Sequence, residues 1–113
     1  MPPDGRLPSH VEVSALCRKI SHDGDFATII HKGDEDRGVI IIEIAEKGQF
    51  YAIYERQWSA HGDYCWAETI IPDGPQALAE YRQKRRRSDP DMWWIELDIA
   101  HPARFIVDLT TKT

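Results

Sequence analysis

Apolar residues recur at helical spacing soon after a proline-rich start. They lie at i, i+3, i+4 and i+7, and so on one face of a helix: Val13, Leu16, Cys17 and Ile20. Ser9 and Glu12 have the spacing of a capping box, and Gly24 is a typical helix stop. These features predict a helix over 10–22. Residues 1–8, with three prolines and one glycine, are expected to be a flexible lead-in.

The spacing then changes to short runs rich in β-branched and aromatic residues, which are typical of strands. Strands are predicted at 26–31, 39–45, 50–54 and 64–71, with a loop over 57–63. Polar or glycine-containing turns separate the first three, at Lys32–Gly38 and Lys47–Gly48. Because no helix fits between these strands, they predict an antiparallel meander.

A second helix begins after Pro72, with Asp73 as its expected N-cap and Pro75 in its first turn. It ends before Pro90, since the residue preceding a proline is pushed out of the helical region. A strand at 92–99 follows, and 104–109 is predicted to return as its hairpin partner. The resulting order is α-β-β-β-β-α-β-β. It predicts a single small α+β domain over 9–113, with two helices and a mainly antiparallel sheet of five or six strands.

Composition narrows the class of protein. The chain has 113 residues, 42% of them hydrophobic, which is typical of a folded domain. Its longest apolar run, Val39–Ile42, is far shorter than the roughly 20 residues of a membrane-spanning helix. The amino terminus lacks the basic and apolar parts of a secretory signal. Cys17 and Cys65 are therefore expected to be free thiols in a soluble, cytoplasmic protein without membrane contact.

Charge is unevenly distributed. The net charge is -5, yet five of the 14 Lys and Arg residues lie in the segment 82–87. On a helix these side chains form a collar around the last turn, where their positive charges interact favourably with the negative end of the helix dipole. One interpretation is a solvated helix end that is neutralised by Asp89 and Asp91. The other is a contact for an acidic protein surface or a nucleotide, or for nucleic-acid phosphates, although the acidic remainder of the chain disfavours nucleic acid.

Two further features after the collar could contribute chemistry. Asp89 and Asp91 flank a rigid proline, so they could bind a metal or act as an acid and base pair with a His, or simply form a turn. Trp93 and Trp94 point to opposite faces of a strand, so one can be core while the other lies outward or under a helix. Only His61 and Cys65 have the spacing of metal ligands, and two ligands are too few for a zinc site. No catalytic residue, metal site or cofactor is predicted.

The chain also resembles a bacterial family of unknown function, DUF1491. The similar segments include Phe26–Ala27, the basic-Gly-Asp-x-x-x-Gly turn at 32–38 and Tyr81 with the arginine-rich helix end. They also include the run Ser88–Glu96 and the late pair Arg104–Phe105. The resemblance implies the fold of that family, which has no established activity.

These observations favour a non-enzymatic binding or protein-interaction module. Its partner is expected to be another protein or a second copy of the chain, held through an edge strand such as the last one. An alternative is a small enzyme or metal-dependent hydrolase that uses Asp89 or Asp91 with a His, and a further alternative is a weak nucleic-acid binder through 82–87. The candidate binding residues are Arg82, Arg85, Arg86, Arg87, Asp89, Asp91, Trp93 and Trp94.

Overall fold

The computed structural model describes residues 7–58, 62 and 64–111. It contains helices α1 (Ser9–His22), α2 (Pro75–Ser88) and α3 (Pro102–Thr110), and strands β1 (Phe26–His31), β2 (Ile40–Glu46), β3 (Gln49–Trp58), β4 (Tyr64–Thr69) and β5 (Trp93–Asp98). The predicted α+β class is confirmed. Residues 1–6 of the predicted lead-in, and residues 59–61 and 63 of the predicted loop, lie outside the described residues.

The strands form one mixed sheet in the order β1-β5-β2-β3-β4. The part of the predicted meander that runs β2-β3-β4 is confirmed, but β1 does not pair with β2. Instead β5 lies between them, antiparallel to β1 and parallel to β2. The physical reason is burial, because Trp93, Trp94 and Ile95 of β5 are all buried. A strand that is apolar on both faces is stable only at the centre of a covered sheet.

The segment predicted as a last strand is a helix. Residues 104–109 belong to α3, which has Pro102 in its first turn. Phe105, Ile106 and Leu109 pack against the core, a spacing that suits one face of a helix. The strand prediction was wrong because β-branched residues are only a weak signal, and packing of a helical apolar face overrides it.

Helices cover both faces of the sheet. On one face, alternate residues of β2 such as Ile42 and Ile44 pack with Val13 and Ile20 of α1, and with the apolar side of α3. The opposite face holds a smaller cluster under α2, which contains Ile41, Ile53, Met92 and Trp94 and contacts Leu78 and Tyr81. The sheet is therefore the middle layer of three.

The N-caps predicted for α1 and α2 both differ from the structure. Ser9 is the first residue of α1 and makes no capping hydrogen bond, because its hydroxyl instead donates to the Gly38 carbonyl at 2.7 Å. Helix α2 begins one residue later than Asp73 would require, with Gly74 at the N-cap and no side-chain cap. Gly74 has a φ of 107°, in the region that glycine tolerates best.

The turn between β2 and β3 is confirmed and has a specific support. Lys47 and Gly48 both have positive φ, as a two-residue hairpin turn requires. Their amides donate to the two carboxylate oxygens of Asp98, each at 2.9 Å. The end of β5 thus holds the neighbouring hairpin in place.

Candidate binding site

The basic collar on α2 divides into cations bound to the sheet and cations that remain exposed. Arg82 belongs to the first group. Its Nε donates to Oε1 of Glu43 at 2.8 Å, and a terminal nitrogen donates to Oε2 at 2.5 Å. The hydrogen bond to Glu43, with the attraction of Glu43 and Glu96, raises the pKa of Arg82 against the opposing effect of burial. The guanidinium therefore stays charged.

Glu43 lies in the middle of β2 and is buried, so its charge requires compensation. Besides Arg82, the indole Nε1 of Trp94 donates to Oε1 at 3.0 Å. Trp94 in turn contacts the ring of Tyr81, with 6.1 Å between ring centroids. Glu43 was not among the residues predicted for the site, although a carboxylate inside a buried apolar strand is a signal that a cation must lie opposite.

Arg85, one helical turn further along α2, reaches the neighbouring strand. A terminal nitrogen donates to Oε1 of Glu55 in β3 at 2.6 Å. Its Nε is buried and has no hydrogen-bond partner among the described residues. Arg85 thus makes one hydrogen bond to its carboxylate where Arg82 makes two, and it is the weaker of the two anchors.

The other cations of the collar, Lys84, Arg86 and Arg87, are exposed. Arg86 lies beside a small hollow between α2 and β1, with a volume of about 150 Å³. The hollow is lined by Ile30, His31, Arg82, Gln83, Arg86, Met92 and Trp94. Three of the predicted binding residues, Arg82, Arg86 and Trp94, are therefore brought together at one concave place.

The hollow has an apolar floor and a basic rim. Ile30 supplies exposed carbon surface above the buried Met92 and Trp94, while Arg82 and Arg86 lie on the side of α2. The Arg82 side chain is 41% exposed even though Glu43 holds it, so part of its guanidinium still faces solvent. Such a site can accept an apolar group that carries or adjoins an anion.

The Asp89-Pro90-Asp91 segment forms a structural joint between α2 and β5. Asp89 follows the last turn of α2, and its amide donates to the Arg85 carbonyl at 2.9 Å. The carbonyl of Asp91 accepts from the amide of Asp34 at 2.8 Å. In the described chain, no group of three or more His, Cys, Asp or Glu residues is placed to hold a metal ion.

The acidic turn after β1 packs directly against this joint. A Cβ at Gly33 or Gly38 would lie closer than 3 Å to the backbone of Asp91, so neither position accommodates a side chain. The Asp34 carboxylate accepts from the amides of Asp36 and Arg37, which closes the turn. Two of the segments that carry the family resemblance, the turn at 32–38 and the run Ser88–Glu96, are therefore in contact with each other.

Both tryptophans of the pair are buried, so neither is an exposed contact surface. Trp93 lies on the α1 and α3 side, and its indole Nε1 donates to the Asp34 carbonyl at 2.7 Å. Trp94 lies under α2, as one of the two predicted arrangements requires. Only the edge of Trp94 reaches the hollow.

The remaining candidates for chemistry are dispersed. His31 is the histidine at the hollow, and its Nδ1 lies 2.8 Å from the Met92 carbonyl oxygen. Cys17 and Cys65 are free thiols, and burial raises the pKa of Cys17. His61 lies outside the described residues. No helix in the described ranges is long and apolar enough to cross a membrane.

Comparison with known proteins identifies the fold and the family. A crystal structure of a DUF1491 family protein from Caulobacter crescentus is 24% identical, with a TM-score of 0.74 over 83% of this chain and 89% of that one. The solution structure of a protein from A. tumefaciens is 24% identical, with a TM-score of 0.69 over 83% of this chain and 86% of that one. These likenesses show a shared fold.

No curated protein matches the chain. A family model described as "Protein of unknown function (DUF1491)" matches residues 7–107, which is most of the sequence. The predicted resemblance to this family is thereby confirmed. The chain belongs to the DUF1491 family.

Proposed function

We propose that this protein is a cytoplasmic, non-enzymatic protein-interaction module that binds its partner at the hollow between β1 and α2. The observation that carries the proposal is the combination of an apolar floor with a basic rim. Ile30 offers exposed carbon contact above the buried Met92 and Trp94, and Arg86 is an exposed cation with no hydrogen bond or ion pair to the described residues. Its charge is therefore available to a ligand.

The chemistry of the hollow indicates the kind of segment it accepts. A volume of about 150 Å³ suits one medium-sized apolar side chain. The exposed guanidinium of Arg86 favours a carboxylate next to that side chain, since arginine binds carboxylates through paired hydrogen bonds. We therefore propose a partner segment in which an aliphatic residue adjoins Asp or Glu.

Other functions receive less support from the structure. Nucleic-acid binding through 82–87 would rest on Lys84, Arg86 and Arg87 alone, because Arg82 and Arg85 are bound to carboxylates of the sheet. Hydrolysis by Asp89 or Asp91 would require a His and a cleft at those carboxylates. His31 approaches the joint only through the carbonyl of Met92.

Site-specific photo-crosslinking tests the proposal. A photoreactive phenylalanine analogue replaces Gln83, which lines the hollow, or Gln76, which is also exposed on α2 but lies in its first turn. In extract of a bacterium that carries the protein, we expect a defined adduct at position 83, no such adduct at 76, and loss of the adduct in an Arg86→Glu background. Equal adducts at both positions, or an adduct that survives Arg86→Glu, would refute the proposal.

A further inference from the structure

Strand β1 contains a β-bulge where it borders the hollow. Ile29 lies opposite Ile95 of β5, and the next pair is His31 with Trp94. Strand β1 therefore advances by two residues while β5 advances by one. In a regular strand Ile30 and His31 would point to opposite faces of the sheet. The bulge lets both side chains reach the face under α2, where both line the hollow.

A hydrogen bond fixes the orientation and the tautomer of the His31 ring. Its Nδ1 lies 2.8 Å from the Met92 carbonyl oxygen. A carbonyl oxygen can only accept, so Nδ1 donates and Nε2 is the nitrogen that gains or loses a proton. The ring is half-buried at the hollow, and the described residues supply no hydrogen-bond partner for Nε2. Nε2 is therefore the ring nitrogen that is available to a ligand.

The side chains that surround His31 in the hollow are basic or uncharged. Helix α2 and strand β5 contribute Arg82, Gln83, Arg86, Met92 and Trp94. In the described part of the chain, no Asp or Glu lines the hollow. Arg82 is already bound to Glu43, which leaves Arg86 as the cation of the rim that is free to bind an anion.

The carboxylates of the neighbouring elements lie outside the hollow, and most are engaged elsewhere. They include Asp34, Glu35, Glu43, Glu80, Asp91 and Glu96. The Asp34 carboxylate closes its own turn, and Glu35 pairs with Lys32, the residue that follows His31. Glu80 accepts a hydrogen bond from Gln76 on α2. An anion that meets the His31 ring inside the hollow must therefore come from a ligand.

We propose that His31 contacts the partner's carboxylate together with Arg86, and that binding of the acidic segment is coupled to uptake of a proton at Nε2. The inference rests on the proposed function, since it concerns the same hollow and the same Asp or Glu of the partner. A carboxylate beside the ring favours the imidazolium, whose Nε2–H then donates to it. Histidine changes its charge between about pH 5 and 8, so the partner is bound more tightly as the pH falls through that range.

A small carboxylate measures this coupling directly. The probe is isocaproate, a branched aliphatic chain that carries a carboxylate, and its control is isocaproamide, which lacks the charge. Nitrogen NMR of the full chain follows the His31 ring, whose signal is assigned by its loss in His31→Asn. We expect saturating isocaproate to raise the titration midpoint of His31 by about one pH unit. By linkage, isocaproate should then bind about fivefold more tightly near pH 6 than near pH 8.

Three variants make the test specific. In His31→Asn the side-chain amide can still donate to the Met92 carbonyl, but it does not titrate, so we expect equal affinity near pH 6 and near pH 8. Arg86→Gln removes the other cation and should weaken binding at both pH values. Lys84→Gln removes an exposed cation of α2 outside the hollow, and it should change neither the affinity nor its pH dependence.

Two results would overturn the inference. One is a His31 midpoint that isocaproate leaves unmoved, or that isocaproamide raises equally, and the other is an H31N variant that keeps the pH dependence. If the Arg86-dependent adduct at position 83 still forms, the proposed partner site stands and only the coupling to His31 fails. A midpoint that isocaproate raises, with no adduct at position 83, would support His31 as a carboxylate contact and refute the protein partner.

Discussion

Arg82 and Glu43 are joined by two hydrogen bonds across the boundary between α2 and the central strand β2. The Glu43 side chain is only 4% exposed, whereas that of Arg82 is 41% exposed. Buried Glu43 therefore depends on Arg82 for the cation that compensates its charge, whereas Arg82 is also in contact with solvent. Part of the basic collar is thus a structural element that attaches α2 to the sheet.

This asymmetry predicts a graded response to loss of the arginines. Arg82→Met leaves a buried carboxylate without its cation, and we expect the free energy of unfolding to fall by about 2–4 kcal/mol. Arg85→Met removes one charged hydrogen bond from Glu55 and should cost about 1–2 kcal/mol. Arg86→Met changes an exposed side chain and should stay within about 0.5 kcal/mol of the wild type. Urea unfolding at neutral pH measures all three.

A double variant separates lost charge compensation from lost packing. E43Q removes the negative charge but keeps an oxygen that can accept from the Trp94 indole. We therefore expect E43Q/R82M to be more stable than R82M alone, because no buried charge remains unpaired. If the double variant is as unstable as the two single losses added together, the role assigned to the Arg82 charge is wrong.

The contact between the 32–38 turn and the Asp91 joint gives a steric prediction. Gly33→Ala places a methyl group against the backbone of Asp91 and Met92, which cannot move without shifting β5. We expect a loss of about 1–3 kcal/mol, as for other overpacked sites, and a similar loss for Gly38→Ala. Thermal unfolding checks both.

Glu35→Ala is the matched control for this turn. Glu35 lies between the two glycines and is exposed, and the only contact of its side chain among the described residues is a pair with Lys32 at 3.9 Å. Its backbone carbonyl, which accepts from the His10 amide, is kept in the alanine variant. Its replacement is expected to change stability by less than about 0.5 kcal/mol. Equal effects of Glu35→Ala and Gly33→Ala would show that the close backbone approach is not what requires glycine.

Local sequence signals predicted those elements whose boundaries are set by local chemistry. Helix α1 was predicted at 10–22 and is found at Ser9–His22, and the Lys47–Gly48 hairpin turn was also predicted. The place of β5 between β1 and β2 was not predicted, because strand order depends on burial of whole faces. The helical state of 104–109 was missed for the same reason, since its apolar side is defined by the core that it meets.

In the candidate site, too, the sequence shows which residues are unusual, and the three-dimensional contacts decide what each of them does. The basic segment and the Trp pair were visible as composition, but their roles depend on which residues face them. Arg82 and Arg86 differ by one helical turn, yet one is bound to a buried carboxylate and the other lies free at the rim of the hollow. Only the register of α2 against β2 and β1 separates an anchor from an available cation.

Ser9 and Asp73, the two residues expected from the sequence to be N-caps, are predicted to differ in their contribution to the free energy of unfolding. Ser9→Ala leaves the buried Gly38 carbonyl without this donor, and we expect a loss of about 1–3 kcal/mol. Asp73→Ala is expected to cost less than about 0.5 kcal/mol, because α2 has no side-chain cap. Chemical denaturation of the two variants provides the comparison. A larger loss for Asp73→Ala than for Ser9→Ala would restore the capping role that the sequence suggested.

Partial burial of Cys17 predicts slow, pH-dependent thiol chemistry. Desolvation disfavours the thiolate and raises the pKa of Cys17, so less of the reactive form is present at a given pH. In a Cys65→Ser background near pH 8, below the ordinary thiol pKa of about 8.5, iodoacetamide is expected to alkylate Cys17 more slowly in the folded than in the urea-unfolded chain. Mass spectrometry of timed samples follows the reaction.

The same shift determines the sign of a stability effect. The folded state holds the Cys17 proton more tightly than the unfolded chain, so this contribution is fully present below the unfolded pKa. It is lost as the pH rises through the higher folded pKa, because the unfolded chain ionises first. The loss of stability at alkaline pH should therefore be smaller in Cys17→Ser than in the parent, as measured by urea unfolding on both sides of the thiol range. Identical alkaline losses in the two proteins, together with equal alkylation in the folded and unfolded states, would contradict desolvation of the partly buried Cys17 thiol.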